Sequence, residues 1–330
     1  VKVLVLAIDD WANTGWRFSK CLEYLGYDVT SYKAKPHVFN YPAQIKVHSD
    51  MQAAIKIKGR YNKKPLLSLC VPEIKSLVEE HDVIHFIASG FIDTGADLAD
   101  KRVVVNYGGS TYRRNPGIVS DFFNKISDAS LIQCPDLLGL GAKNEHLIYY
   151  PVDTDFIQPV FNKIAKSPKF SHFPSSSASK GTQTILNVIG GMDINYIGKT
   201  NSNNKTNRIS WLDNLKRMAE CDVYIETVQP KLKGKRFGEW GNTTLEAAAL
   251  GKIVITNTLS KDLYEKEYGE LPLLVANNEK QLKKRIKEIL SLSEKEIYKL
   301  QRKFRQWAED KHSIPSTSKR LEDKIYRDFH

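Results

Sequence analysis

The chain has 330 residues, 41% of them hydrophobic and 26% charged, and carries a formal net charge of +11. That is long enough for two ordinary domains with a sizeable core, and too apolar for a disordered chain. No apolar run approaches the roughly 20 residues of a membrane-spanning helix, and the basic balance points to an anionic partner.

The first element, Val1–Ile8, is apolar and short, and is expected to be a buried strand rather than a leader. Asp9–Gly15 reads as a polar loop, Trp16–Leu25 has helical spacing that Gly26 ends, and Tyr27–Tyr32 suits a second strand. A strand–loop–helix–strand opening of this kind starts a doubly wound parallel sheet. Between Lys33 and Lys64 stand Lys33, Lys35, Lys46, Lys56, Lys58, Arg60, Lys63 and Lys64 against one acid, Asp50, with Tyr32, Phe39, Tyr41 and Tyr61 interleaved. This stretch is a solvated basic loop or a docking surface for anionic lipid headgroups or a phosphate-bearing acceptor. No nucleic-acid-binding motif accompanies it, so nucleic acid is not expected as a partner.

Further strands are expected at Val83–Ala88, Val103–Tyr107 and Ala129–Cys134, with helices at Cys70–His81 and Ile118–Lys125. His85 falls near the end of its strand, where parallel sheets place their sites, although a packed core histidine fits equally. Gln158–Lys169 loses periodicity and carries two prolines, which marks a domain boundary, and a second strand–helix series begins near Phe170. It contains Ile194–Ile197, the polar loop Asn201–Asn207, the helix Trp211–Ala219, Val223–Glu226, the helix Thr243–Leu250 and Ile253–Thr256. Glu279–Lys311 reads as a charged amphipathic helix with Leu282, Ile286 and Leu290 at four-residue steps. Cys21, Cys70, Cys134 and Cys221 have no metal-ligand spacing and are expected to be reduced. The sequons at Asn204 and Asn242 carry no weight in a cytoplasmic chain.

The most informative stretch runs from Phe237 to Thr256. A glycine loop, Gly238-Glu239-Trp240-Gly241, opens the small-residue helix that carries Glu246. A helix start rich in Gly, Asn and Thr offers backbone N–H groups and a positive dipole end to an anion such as a diphosphate. A glutamate just inside that helix can accept hydrogen bonds from vicinal ribose hydroxyls, and phosphate with ribose means a nucleotide. Asp153-Thr154-Asp155 has the form of a metal-binding Asp-x-Asp but falls where Asp153 can cap a short helix.

Taken in order, these motifs resemble those of the GT-B glycosyltransferases, particularly the large retaining family numbered four, over nearly the full length. Asn106-Tyr107-Gly108-Gly109-Ser110-Thr111-Tyr112-Arg113 resembles a first-domain His-Gly-Ser-x-x-Arg segment, and Asp128–Leu138 the last first-domain strand. Pro151–Phe156 resembles the interdomain segment, and His172–Thr182 with Gly238–Glu246 the second-domain hallmarks. The resemblance implies two Rossmann-like α/β domains facing a central cleft. They would span residues 1–155 on the acceptor side and 156–330 on the nucleotide-sugar side, the C-terminal helix being able to pack back on the first.

The implied activity is transfer of a sugar from a nucleotide-sugar donor to a hydroxyl of a glycan, glycoprotein or lipid-linked acceptor. It would proceed with retention and without a metal or other cofactor, in the cytoplasm or peripherally at a membrane. Lys180, Glu246 and Glu239 are the implied catalytic residues; Gly15, Gly241, Asn242, Thr243, Thr244 and Arg236 join Lys180 and Glu246 around the nucleotide sugar; and His85, Ser110 and Arg113 lie on the acceptor side. His172 is expected to be structural. The chain departs from the family in having Gly238 for a second glutamate, Ser175 or Ser177 for an arginine, and Gly108 for a histidine. The basic residues Lys231, Lys233, Lys235 and Arg236 are candidates to replace the missing positive charge. The rival readings are a non-catalytic nucleotide- or glycan-binding protein and a nucleotide-sugar epimerase of the same fold.

Overall fold

The computed structural model describes residues 1–57, 66–68, 72–88, 91–164, 166–198, 209–232, 234–237 and 239–329. Of the positions singled out above, Lys58, Arg60, Tyr61, Lys63, Lys64, Cys70, the 201–207 loop, Lys233 and Gly238 lie outside the described residues. The chain forms two compact units: Val1–Pro151 together with Ile314–His330, and Val152–Ser313.

The strands of the first unit are β1 (Lys2–Asp9), β2 (Asp28–Lys35), β3 (Lys46–Val47), β4 (Leu66–Ser68), β5 (Val83–Ala88), β6 (Phe91–Asp93), β7 (Arg102–Tyr107), β8 (Ala129–Ile132) and β9 (Glu145–Leu147). Seven of them make one parallel sheet in the order β3-β2-β1-β5-β7-β8-β9, while β4 and β6 pair separately. Val3–Ile8 are buried on both faces, which is why β1 reads as a continuous apolar run and not an alternating one. The chain winds outward from β1 on both sides, so the carboxyl ends of β1 and β5 flank the point where strand order reverses.

The C-terminal segment completes this core. Leu321, Ile325 and Tyr326 pack with Val3, Val5, Phe18 and Cys21. The Tyr27 hydroxyl donates to the Tyr326 carbonyl at 3.3 Å, and the Tyr326 hydroxyl is 2.8 Å from His85 Nδ1.

The second unit contains β10 (Lys169–Ser171), β11 (Asn195–Tyr196), β12 (Val223–Thr227), β13 (Lys231–Leu232), β14 (Lys235–Arg236), β15 (Ile253–Thr256) and β16 (Leu274–Val275). Five form a parallel sheet in the order β11-β10-β12-β15-β16; β13 and β14 form an antiparallel ribbon. Each unit is therefore a Rossmann-like parallel sheet with helical crossovers.

The charged segment after Glu279 is two helices, Glu279–Leu290 and Glu294–His312, and not one. The break is written in a capping box: Ser293 accepts from the Glu296 amide while the Glu296 carboxylate accepts from the Ser293 amide at 2.7 Å. In the first helix the buried residues are Leu282, Ile286 and Ile289, with Leu290 only half-buried, because a 3.6-residue turn carries the stripe back one position. Replacing Ser293 by alanine is expected to cost about 1 kcal/mol of unfolding free energy in urea titrations.

Two positions counted in the basic stretch are not on the surface. Lys33 is wholly buried, its Nζ donating to Gln44 Oε1, and Tyr41 is also buried; β2 lies inside the sheet, so alternate residues must face the packed layers. Lys46 is exposed and Lys35 half-buried. Among the described cysteines Cys21 and Cys221 are buried and Cys134 half-buried, all unbridged. No helix among the described residues is long and apolar enough to cross a membrane.

Candidate functional site

In the second unit, four pieces of chain converge at the carboxyl ends of β12 and β15. The helix Asn242–Ala249 starts there from Gly241, which is extended and provides no side-chain cap. The short helix Ser177–Lys180 ends at Gly181, whose φ of +65° is left-handed and whose Cα lies under the carbonyl of Val228. A Cβ at 181 would be 2.5 Å from that oxygen, so glycine is required there on two counts. The Val228 amide donates to the Lys180 carbonyl at 3.2 Å, which ties the loop after β12 to the lysine.

Lys180 is ion-paired with Glu226, the penultimate residue of β12. The Glu226 side chain is wholly buried, and its oxygens also accept from Thr243 Oγ1 (3.2 Å) and Thr256 Oγ1 (2.9 Å). A Cβ on Gly241 would lie 3.7 Å from Lys180 Nζ and 3.6 Å from Glu226 Oε1. One partly exposed ammonium, an uncapped helix start and a threonine hydroxyl thus share one small space, with a buried carboxylate beneath them. Such a group can stabilise negative charge delivered from outside, through the cation and the helix dipole together. Glu226 balances Lys180 while no such charge is present.

Glu246 lies three residues beyond Thr243, one turn along the same side of the helix. It is buried, and its Oε1 accepts from Trp211 Nε1 at 2.9 Å. The Trp211 indole also rests against the half-exposed ring of Phe156, with centroids 5.6 Å apart. Thr244 is fully buried and its amide donates to the Gly241 carbonyl at 3.0 Å.

Glu239 and Arg236 form a separate cluster. Glu239 accepts from the Leu259 amide (3.1 Å), Ser260 Oγ (2.9 Å) and the Arg236 guanidinium (3.0 Å). The carboxylate is enclosed and fastens the loop before the Asn242–Ala249 helix to the loop after β15, while Arg236 remains partly exposed beside it. His172 is buried between the Ile225 carbonyl (2.8 Å) and Thr182 Oγ1 (2.9 Å). Burial pushes its pKa down to about 4, so it is neutral and packs the base of the site. Asp153 Oδ1 accepts from the amides of Asp155 and Phe156 at 3.2 and 2.9 Å, which closes a turn.

The remaining residues singled out in the sequence lie in the first unit. Gly15 opens the helix Thr14–Tyr24, and its amide donates to Asp10 Oδ1 at 2.5 Å. A side chain at 15 would crowd both Asp10 and Ile45, each 3.1 Å from its Cβ. Arg113 is committed to the buried Asp136 through a 2.6 Å contact. Ser110 lies in the first turn of the helix Gly109–Arg114. His85 is wholly buried against Phe18 and Tyr326, and burial pushes its pKa down to about 3. Its imidazole therefore fills the core at the centre of the sheet.

Sequence reasoning missed Glu226, Trp211 and Asp10 as partners in these clusters. For Glu226 the available signal was a carboxylate ending an otherwise apolar strand, and for Asp10 an acid directly between β1 and a Thr-Gly helix start.

Two units, each a parallel sheet in this strand order, have the fold of the GT-B proteins. Among solved structures, the chain is similar to Anabaena HepE in complex with UDP, at 12% identity and a TM-score of 0.63, covering 99% of this chain and 100% of that one. A HepE complex with UDP-glucose gives the same identity and a TM-score of 0.62 over 99% of both chains. The likeness extends to AviGT4, a glycosyltransferase involved in avilamycin A biosynthesis, at 11% identity, a TM-score of 0.56 and coverage of 100% and 98%. It also extends to a putative UDP-N-acetylglucosamine 2-epimerase from Listeria monocytogenes, at 14% identity, a TM-score of 0.51 and coverage of 100% and 96%. It thus spans several GT-B proteins and does not single out family four. No protein-family model matches the sequence, and no curated protein does.

Proposed function

We propose that this protein is a glycosyltransferase that takes its sugar from a nucleoside diphosphate donor bound to the second unit. The observation that carries this reading is the meeting of Lys180, Gly241 and Thr243 at an uncapped helix start, with Glu246 one turn further in. The donor diphosphate lies over that helix start and draws Lys180 toward it. Trp211 yields its hydrogen bond, and the Glu246 carboxylate receives the ribose hydroxyls. As the bond from the sugar to the diphosphate breaks, negative charge grows on the departing phosphate, where the fixed lysine and helix dipole stabilise it. The acceptor hydroxyl oxygen forms the new bond to the anomeric carbon and passes its proton to an oxygen of the departing diphosphate.

Arg236, on the exposed ribbon, adds positive charge near the donor, and Glu239 acts by holding that loop. Gly15 is assigned to the nucleotide sugar, and Ser110 and Arg113 to the acceptor side. Retention at the anomeric carbon, independence of metal, and a glycan, glycoprotein or lipid-linked acceptor complete the proposal. All three rest on the motif resemblance. The HepE complexes make a uridine diphosphate sugar the first donor to test.

Calorimetric titration of UDP, GDP, ADP and CDP, and of the matching sugar nucleotides, checks the reading. One nucleoside diphosphate should bind, and Glu246→Ala should weaken it by about tenfold or more, as for loss of a charge-assisted hydrogen bond. Absence of binding by every nucleotide overturns the proposal.

A further inference from the structure

Trp11 is the one tryptophan among the described residues that faces solvent; it is 55% exposed, whereas Trp16, Trp211, Trp240 and Trp307 are buried or half-buried. It sits just past the carboxyl end of β1 and is backed by residues from just past the end of β2. Its ring lies 5.4 Å from that of His37 and 5.9 Å from that of Phe39. His37 in turn rests against Phe39 at 5.2 Å and the buried Tyr41 at 5.0 Å. The four rings form a continuous aromatic layer that ends in an open indole face.

The loop that carries Trp11 is held in place. Ala12 and Asn13 are consecutive left-handed residues, with φ of +56° and +58°, a conformation that asparagine tolerates but alanine seldom adopts. The Asn13 amide side chain donates to the Ala43 carbonyl at 2.8 Å, and Thr14 Oγ1 donates to the Trp11 carbonyl at 2.7 Å. A large apolar surface is thus fixed in water in place of folding inward, which costs hydrophobic free energy unless something covers it. Two residues before Trp11 on β1, Asp9 pairs with Lys35 of β2 across 3.8 Å, and both are partly exposed.

We propose that Trp11, supported by His37 and Phe39, is a stacking platform for one pyranose ring of a glycan. This rests on the glycosyltransferase reading and specifies its acceptor as a saccharide. A pyranose presents a flat face of C–H groups, which suits the indole, and an equatorial belt of hydroxyls, which suits a carboxylate–ammonium rim that accepts and donates. An alkyl chain would leave the rim unused, and a phosphate would meet Asp9. The location fits as well, since ligands of open parallel sheets bind beyond the carboxyl ends of the strands.

The test compares wild type, Trp11→Ala and Trp11→Tyr on an array of immobilised gluco-, galacto-, manno- and xylo-oligosaccharides, with UDP calorimetry alongside. Wild type should bind at least one oligosaccharide class, Trp11→Ala should weaken it at least about tenfold, and Trp11→Tyr should stay within about threefold. UDP affinity should be the same in all three proteins. Wild type binding no saccharide, or Trp11→Ala binding as well as wild type, overturns the platform even if UDP binds. If no nucleotide binds but the Trp11-dependent saccharide signal persists, the donor assignment fails and the platform stands.

Discussion

Lys180→Ala should lower the stability of the second unit by about 3 kcal/mol, because it leaves the buried Glu226 carboxylate without its cation. The low end of the range for broken buried pairs applies, since the lysine is 22% exposed and water can reach the gap. The same substitution should lower sugar transfer by about 100- to 1000-fold, the usual size for removing one electrostatic stabiliser of a developing oxyanion. The double variant Lys180→Ala/Glu226→Gln separates the two effects. It removes the buried charge with its partner, so the urea midpoint should return most of the way to wild type while transfer stays low. A double variant as unstable as the single one would show that Glu226 is not the source of the cost. A double variant with restored transfer would remove Lys180 from the chemistry.

Asp10→Asn should stabilise the protein at neutral pH relative to acid pH. Burial raises the Asp10 carboxyl from 3.8 to about 6, against the opposing pull of the Gly15 amide and Lys33. Between those two values the folded state holds a proton that the unfolded state has released, so stability falls as pH rises through the window. Below pH 4 both states are protonated and the effect vanishes; above 6 it is complete, at about 3 kcal/mol. The difference in unfolding free energy between Asp10→Asn and wild type should therefore be flat below pH 4 and shift by that amount in favour of the variant by pH 7. A pH-independent difference would mean that Asp10 ionises in the fold as it does in the open chain.

Long parallel strands were legible in the sequence because burial on both faces leaves an unbroken apolar run, as in β1, β5 and β7. The strands β3, β9 and β16 were not, since two or three residues show no period. The break between the last long helices was written at Ser293 and Glu296 but overshadowed by the charge pattern around it. At the candidate site, Gly241, Thr243 and Glu246 were legible together because they lie on one short helix start. The partner of Lys180 was not: Glu226 is 46 residues away, and only the parallel sheet brings the end of β12 beside the Ser177–Lys180 helix. Trp211 is likewise 35 residues from Glu246. Lys33 was misplaced because a lysine in a basic run gives no local sign that its strand is interior.

The return of Ile314–His330 to the first unit bears on how the chain is made. The second unit is contiguous, so it can close as soon as it leaves the ribosome. The first unit lacks Leu321, Ile325 and Tyr326 until residues 321–326 emerge, after the intervening second unit has been synthesised. At ordinary elongation rates those roughly 160 residues take about 8–30 s. For that time the faces of Tyr27 and His85 that Tyr326 later covers stand open to chaperones or to another nascent chain. Order of synthesis and order of completion are therefore reversed for these two units: the one begun before the other is completed after it.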